Sequence, residues 1–253
     1  MNMRAFVDLQ VYTVNSGGRS TADEYASFLS ILGFKYVSFV CFNRPNKDKF
    51  KEYRRSVEDY GLEYVSRVDL EVSSLSRAKS FLRRYRRDVD IIVVRPRNIN
   101  AARFSARDRR VDMVFFDEKS PKFDVIQARL MSINNKVLEI SLNEILVTEN
   151  RVMEIKRLNK VLRTALGYGI KIVLSSGAHS VYEIRAPRDM ISVIKTLSGI
   201  KIKNEFEMMR DNPLDVIFKS KERRKREFVM PGVRIVGRGE PYEVKEKILN
   251  FLD

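Results

Sequence analysis

The sequence predicts an α/β protein folded as a single (β/α)8 TIM-type barrel. Three observations carry that expectation: strand-like and helical segments alternate about eight times, the connections are short, and no Pro/Ser-rich linker or compositional break divides the chain. Its 253 residues suit one domain of this kind, and a 44% hydrophobic content supplies a sizeable core.

The first strand is predicted at Arg4–Val11 and the first helix at Thr21–Leu32, with Thr21 as N-cap and Glu24 at the capping-box position. Strand Phe34–Phe42 and helix Lys47–Tyr60 follow, then strand Leu62–Val72 and helix Leu75–Arg87. The fourth unit pairs strand Asp90–Arg95 with a short helix over Asn98–Arg107, and the fifth pairs Val111–Phe116 with Phe123–Ile133. Strand Lys136–Leu142 leads to helix Arg151–Leu166, and strand Ile170–Ser175 to helix Arg188–Leu197. An eighth, weaker strand is placed within Lys201–Met208, before helix Leu214–Lys225. Gly33, Gly61, Gly169 and Gly199 stand where helices should stop. From Phe228 the pattern changes to Pro231-Gly232-Val233, a short strand and an amphipathic helix over Tyr242–Leu252. Residues 1–236 are therefore assigned to the barrel and 237–253 to a C-terminal tail.

Strand alternation says which charges face inward. In Lys136–Leu142 the apolar set Leu138, Ile140 and Leu142 suits the helix layer, which sends Glu139 to the interior. Asp8 shares a face with Phe6, Arg95 shares one with Ile91 and Val93, and Arg67 is a further inward candidate of ambiguous phase. Buried charges of both signs must pair.

Charge bounds the function. Lys and Arg number 48 against 33 Asp and Glu, a formal net charge of +15, and a compact chain with that excess fits a polyanionic partner, nucleic acid above all. No apolar run approaches the roughly 18–20 residues of a membrane span. Met1-Asn2-Met3-Arg4 runs straight into a strand, without the features of a signal peptide, so a cytoplasmic location is expected. Cys41 is the single cysteine, which excludes an internal disulfide and a multi-cysteine zinc site, and it is read as a core thiol.

Asp8, Asp117 and Glu139 lie in or at the ends of strands, where barrel active sites sit. They admit two readings, a divalent-metal hydrolase site or an ion-pair network with Arg67 and Arg95. His179, the only histidine, weighs against a multi-imidazole metal centre. It lies in Ser175-Ser176-Gly177-Ala178-His179-Ser180, a loop that offers backbone N–H groups and an imidazole to a phosphate. Between Arg83 and Arg110 there are ten arginines and no lysine, and guanidinium is the group suited to gripping phosphates bidentately. Arg95 and Arg97 fall at the exit of the fourth strand, and Arg107, Arg109 and Arg110 precede the fifth. A second cluster, Lys219-Ser220-Lys221-Glu222-Arg223-Arg224-Lys225-Arg226, extends the last barrel helix.

Several of these residues form an ordered series. Phe6-Val7-Asp8-Leu9, Arg107-Asp108-Arg109-Arg110-Val111-Asp112, Phe116-Asp117-Glu118, Glu139-Ile140, Ser175-Ser176-Gly177-Ala178, Arg185-Ala186-Pro187-Arg188-Asp189 and Pro231-Gly232-Val233 together resemble the archaeal ribonuclease P protein component 3 family, from about Arg4 to Val236. The resemblance implies a barrel related to metal-dependent phosphoesterases but without their metal ligands: Asp8-Leu9-Gln10 begins like their first-strand motif and has glutamine where histidine would be needed. It further implies an accessory subunit that assists a catalytic RNA in removing the 5′ leader of precursor tRNA, alongside a second small protein. On this reading Arg95, Arg97, Arg107, Arg109, Arg110, His179, Arg185, Arg188, Lys221, Arg223 and Arg224 contact RNA. No cofactor, catalytic residue or membrane is expected. Two alternatives stay open: a barrel hydrolase or isomerase acting on a phosphorylated small molecule through Ser176-Gly177 and Glu139 or Asp8, and a protein-interaction scaffold whose charge serves solubility.

Overall fold

The computed structural model describes residues 5–199, 204–225, 228–230 and 233–234. Strands β1 (Phe6–Val11), β2 (Phe34–Phe39) and β3 (Glu63–Tyr64) form one parallel sheet. Strands β4 (Arg67–Val72), β5 (Ile91–Pro96), β6 (Met113–Phe115), β7 (Val137–Ser141) and β8 (Lys171–Ser175) form a second, in sequence order and also parallel. Helices α1 (Ala22–Ile31), α2 (Lys47–Glu58), α3 (Leu75–Tyr85), α4 (Ile99–Arg107), α5 (Val125–Ile133), α6 (Asn143–Val147), α7 (Arg151–Gly167), α8 (Pro187–Ser198) and α9 (Asp211–Arg223) supply the outer layer and one cap. A short antiparallel pair, β9 (Phe228–Met230) and β10 (Val233–Arg234), follows. The expected tail at 237–253 lies outside the described residues.

Local chemistry explains the boundaries. The Thr21 backbone N–H donates to Glu24 at 2.7 Å while the Glu24 N–H donates to Thr21 Oγ1 at 3.3 Å, a complete capping box that starts α1. Pro187 opens α8, where its missing N–H costs nothing. Gly33, Gly61, Gly169 and Gly199, where helices were expected to stop, all take left-handed φ.

The expected closed ring of eight hydrogen-bonded strands needs correction. Among the described residues no continuous ladder joins the two sheets; their backbones pair at isolated bridges, Val11 with Ala178 and Phe42 with Asp69. Among the described residues no strand fills the eighth position: Glu205–Met208 is a 3-10 turn, and residues 201–203 lie outside them. The Met209 carbonyl accepts the Val7 N–H at 2.9 Å, so a turn sits beside the start of β1. The long strand expected over Leu62–Val72 breaks into β3 and β4 at Ser66. There the Asp90 carboxylate accepts from both the Ser66 N–H (2.9 Å) and its hydroxyl (2.6 Å), which pulls the chain out of the ladder.

Strand alternation sorts the core into two layers. Val68, Leu70, Ile92, Val94, Val114, Leu138, Ile140, Ile172 and Leu174 face the helices. Val7, Leu9, Tyr36, Val65, Ile91, Val93, Met113, Phe115, Val137 and Val173 face a common interior, which Val216 and Ile217 of α9 close at the amino ends of the strands. Phe6 belongs to the outer set, and Cys41 is half-buried beside it, its thiol donating to the Arg44 carbonyl.

The first long loop is fixed by a contact with no spare room. A Cβ on Gly18 would stand 1.7 Å from the Tyr12 carbonyl oxygen, whereas one on Gly17, at φ 93°, would meet nothing. Gly17→Ala is expected to cost only the left-handed penalty of about 1–2 kcal/mol. Gly18→Ala should lower the melting temperature further, because backbone must move; equal melting of the two variants contradicts this packing.

Candidate functional site

The interior changes character toward the carboxyl ends of the strands. Arg67 is fully buried and uses every N–H it has. Its Nε and Nη2 donate to the Asp69 carboxylate, its Nη1 and Nη2 donate to Glu139 at 2.6 Å each, and Nη1 also donates to the Leu9 carbonyl at 2.7 Å. Burial works against its charge, but Asp69 and Glu139 outweigh that and hold its pKa above the ordinary value. Asp69 is shared: Arg95 Nε donates to its other side at 2.7 Å, and the two guanidiniums keep the carboxyl below the usual range despite complete burial. Arg95 also donates to the Tyr12 hydroxyl and lies 4.6 Å from the centroid of Phe115. Ser175 Oγ donates to Glu139 at 2.9 Å. Glu139 and Arg95 thus face inward as strand alternation required, and Arg67 joins them.

Above this network opens a cavity of about 720 Å3. Its wall holds a ring stack in which Tyr12 lies 4.1 Å from His179 at 10° and 6.2 Å from Phe42 at 26°. Arg97 donates to Asp117 at 2.6 Å and to Glu71, and Arg157 donates to Glu144 at 2.6 Å and to Glu154. Burial pushes Glu144 up to about 7 against the pull of Arg157. Asp8 lies outside this network: its Oδ1 accepts the Ser176 N–H at 3.1 Å and the Gln10 N–H at 3.3 Å, and its Oδ2 has no partner. Burial raises its pKa to about 6.

The residues expected to contact RNA occupy several settings. Arg95 is only 7% exposed and its guanidinium is committed to Asp69 and Tyr12. Arg97 is paired as described, and His179 stacks on Tyr12 with its backbone N–H donated to Glu183 at 2.7 Å. Arg110 is paired with Asp108 at 2.6 Å. Lys221, Arg223 and Arg224 turn back onto the amino ends of the strands, to Glu63, Asp112 and Asp90. Arg107, Arg109, Arg185 and Arg188 are exposed and have no ion-pair partner among the described residues; Arg185 Nη1 donates to the Tyr182 and Ile184 carbonyls. The sequence reading missed Asp69, although the alternation of Arg67-Val68-Asp69 puts it on the inward face with Arg67.

The ends of the molecule therefore differ in charge. Helix carboxyl termini in a parallel α/β fold lie at the amino ends of the strands, and Arg83, Arg84, Arg87, Arg107, Arg109 and Lys225 cluster there, exposed and without ion-pair partners among the described residues. The cavity at the opposite end is lined by six carboxylates against four Lys and Arg. No helix among the described residues is long and apolar enough to cross a membrane.

Comparison with known proteins gives a consistent picture. The family described as RNase P subunit p30 matches residues 5–225. "Ribonuclease P protein component 3" of Methanococcoides burtonii is 24% identical over 93% of this chain and 95% of its own length, and that of Haloarcula marismortui is 24% identical over 86% and 92%. A chain in the cryo-EM structure of archaeal ribonuclease P with mature tRNA superposes with a TM-score of 0.79 at 19% identity, covering 92% of this chain and 99% of that one. A histidinol phosphate phosphatase from Lactococcus lactis, solved with zinc, L-histidinol and phosphate, shares the fold at a TM-score of 0.54 and 10% identity, over 77% and 92%. Zinc does not suit the residues present here. The sole histidine is stacked on Tyr12, Asp69 and Glu139 are held by Arg67, and among the described residues no three His, Cys, Asp or Glu side chains converge.

Two stability measurements follow. Glu139→Ala leaves Arg67 with an uncompensated share of buried charge and is expected to cost about 3–5 kcal/mol; wild-type melting would contradict the network. Asp8 has a folded pKa raised above its unfolded value, so the folded state holds its proton more tightly, and stability falls as pH rises from about 4 to about 6. Asp8→Asn should remove that cost. It should melt like wild type near pH 4 and higher above pH 6, by at most about 3 kcal/mol; a variant less stable at pH 8 than wild type contradicts the assignment.

Proposed function

The chain belongs to the RNase P subunit p30 family, and from that premise we propose that it is an RNA-binding accessory subunit of ribonuclease P, assisting a catalytic RNA in removing the 5′ leader of precursor tRNA. The observation that carries the reading is the separation of charge. Exposed, unpaired arginines crowd the amino ends of the strands, while the end where barrel enzymes work is tied up by internal ion pairs.

In this reading Arg83, Arg84, Arg87, Arg107, Arg109 and Lys225 grip phosphates, with Arg185 and Arg188 as a second, smaller contact at the other end. Guanidinium forks bind phosphate oxygens in pairs and release condensed counterions. Neutralising phosphates where RNA helices pack together lowers the magnesium that the RNA needs to reach its working fold. No catalytic step is assigned to this chain. Glu139 and Asp69 are saturated by Arg67 and Arg95, so neither is free to act as a base; Asp8, the other base of the hydrolase or isomerase alternative, is fully buried on the outer face of β1, with Oδ1 held by the Ser176 and Gln10 N–H groups. A second small protein subunit is the expected partner, and the cytoplasm the expected location. The seven inner strands, β3 and β4 counting as one, act in this proposal as a single barrel-like shell that carries the basic surface.

Affinity for the ribonuclease P RNA should fall with salt along a log–log slope of about −4 to −5, as about six neutralised phosphates require. Arg107→Ala with Arg109→Ala should flatten that slope by about 1.5 without lowering the melting temperature. Precursor tRNA should remain uncut by the chain alone, and adding the chain to its RNA and protein partner should lower the magnesium optimum for cleavage. Salt-independent binding, or cleavage by the repurified protein without RNA, contradicts the proposal.

A further inference from the structure

Tyr182 is 85% exposed, more than any other large hydrophobic side chain among the described residues, and its ring and hydroxyl have no partner there. Its backbone, by contrast, is pinned. Tyr182 lies in the 3-10 turn Val181–Glu183, where Ser180 Oγ accepts its N–H at 3.4 Å and Ser20 Oγ accepts the Val181 N–H at 3.2 Å. The Glu183 N–H donates to the Ser180 carbonyl at 3.0 Å, and Val181 and Ile184 on either side of the turn pack into the core. A flat ring is thus held in position and left in solvent, so a ligand that covers it pays little to order it.

Arg185 is fixed beside the same turn. Its Nη1 donates to the Tyr182 carbonyl at 2.6 Å and to the Ile184 carbonyl at 2.8 Å. Both bonds use one nitrogen, and they leave Nε and Nη2 without an acceptor among the described residues. Those two nitrogens form an edge that grips two phosphate oxygens at once. The nearest carboxylate does not compete for it. Glu183 is turned away, its Oε1 accepting from Arg19 at 2.9 Å and its Oε2 from the His179 N–H at 2.7 Å and the Asn143 amide at 3.1 Å. Asp189 is then the exposed carboxylate of this stretch, against Arg185 and Arg188.

We propose that Tyr182 and Arg185 bind an unpaired nucleotide of RNA, with the base stacked on the phenol ring and its phosphate gripped by Nε and Nη2 of Arg185. The inference rests on the RNA-binding reading above and adds a base contact where only phosphate contact was assigned. A duplex keeps its base faces stacked on one another, whereas a single strand offers free faces to an aromatic side chain. An acidic peptide would satisfy Arg185 but brings no flat partner for the ring. A free mononucleotide would meet one ring and one guanidinium on an open surface, without the enclosure that small ligands need.

The sequence contains no tryptophan, so Tyr182→Trp places a single fluorescent reporter at the site. In the full chain its emission should be quenched by an unstructured single-stranded oligoribonucleotide and not by an RNA duplex of the same length. Tyr182→Ala should weaken single-strand binding about tenfold, the size of one base–aromatic stack, with its melting temperature and its log–log salt slope unchanged. Tyr182→Phe should bind as wild type. Arg185→Ala should instead flatten the salt slope by about 0.7, as the loss of one phosphate contact on a single strand requires. Undiminished single-strand binding by Tyr182→Ala, with the wild-type chain still binding ribonuclease P RNA, overturns this proposal and leaves the RNA-binding reading in place. Failure of the wild-type chain to bind any of these RNAs overturns both. Equal quenching by the duplex, by adenosine monophosphate or by an oligoglutamate peptide overturns the assignment to an unpaired RNA nucleotide.

Discussion

A guanidinium removed from solvent must find its counter-charge and five acceptors inside the protein, and Arg67 finds all of them in one place. Asp69 and Glu139 each take two of its N–H groups and the Leu9 carbonyl takes the fifth. These partners come from β4, β7 and β1, so a single side chain ties both sheets together across the interior. Two carboxylates sharing an interior without a cation would repel one another and resist burial. Arg67 is what allows strands carrying Asp69 and Glu139 to converge. Arg95 extends the network to Tyr12, and Tyr12 to the His179 stack at the rim.

That arrangement gives the two ends of the fold different work. At the carboxyl ends the charges answer one another and the surroundings are acidic. At the amino ends α9 plugs the interior with Val216 and Ile217, and its basic residues are drawn onto Asp90, Asp112 and Glu63. The arginines just outside that ring, Arg83, Arg84, Arg87, Arg107 and Arg109, are exposed and have no ion-pair partner among the described residues. The fold shared with the phosphatase thus carries, at the carboxyl ends of its strands, a cavity floored by a closed ion-pair network.

Much of this was legible in the sequence. The alternation of Leu138, Ile140 and Leu142 dictated that Glu139 faces inward, and the same rule oriented Arg95. The break at Ser66 was not legible, because it depends on Asp90, 24 residues away, accepting from Ser66. The eighth strand was expected from the residue types in Lys201–Met208, but its described part is a turn that supplies the Met209 carbonyl to Val7. Lys221, Arg223 and Arg224 read as a free basic run because their partners lie 158, 111 and 134 residues away in the chain. Asp8 shares a face of β1 with Phe6, as expected, but that face is the outer one, and Asp8 stands apart from the carboxylate network in which it was grouped.

The central claim is that the charged interior is scaffold and takes no part in cleavage. The most direct test is turnover of ribonuclease P reconstituted with the Asp69→Asn/Glu139→Gln variant, assayed below that variant's own melting temperature. The account predicts a markedly lower melting temperature and a kcat for precursor tRNA within about twofold of wild type. A kcat reduced by about a hundredfold in a complex that is folded and fully assembled would contradict it.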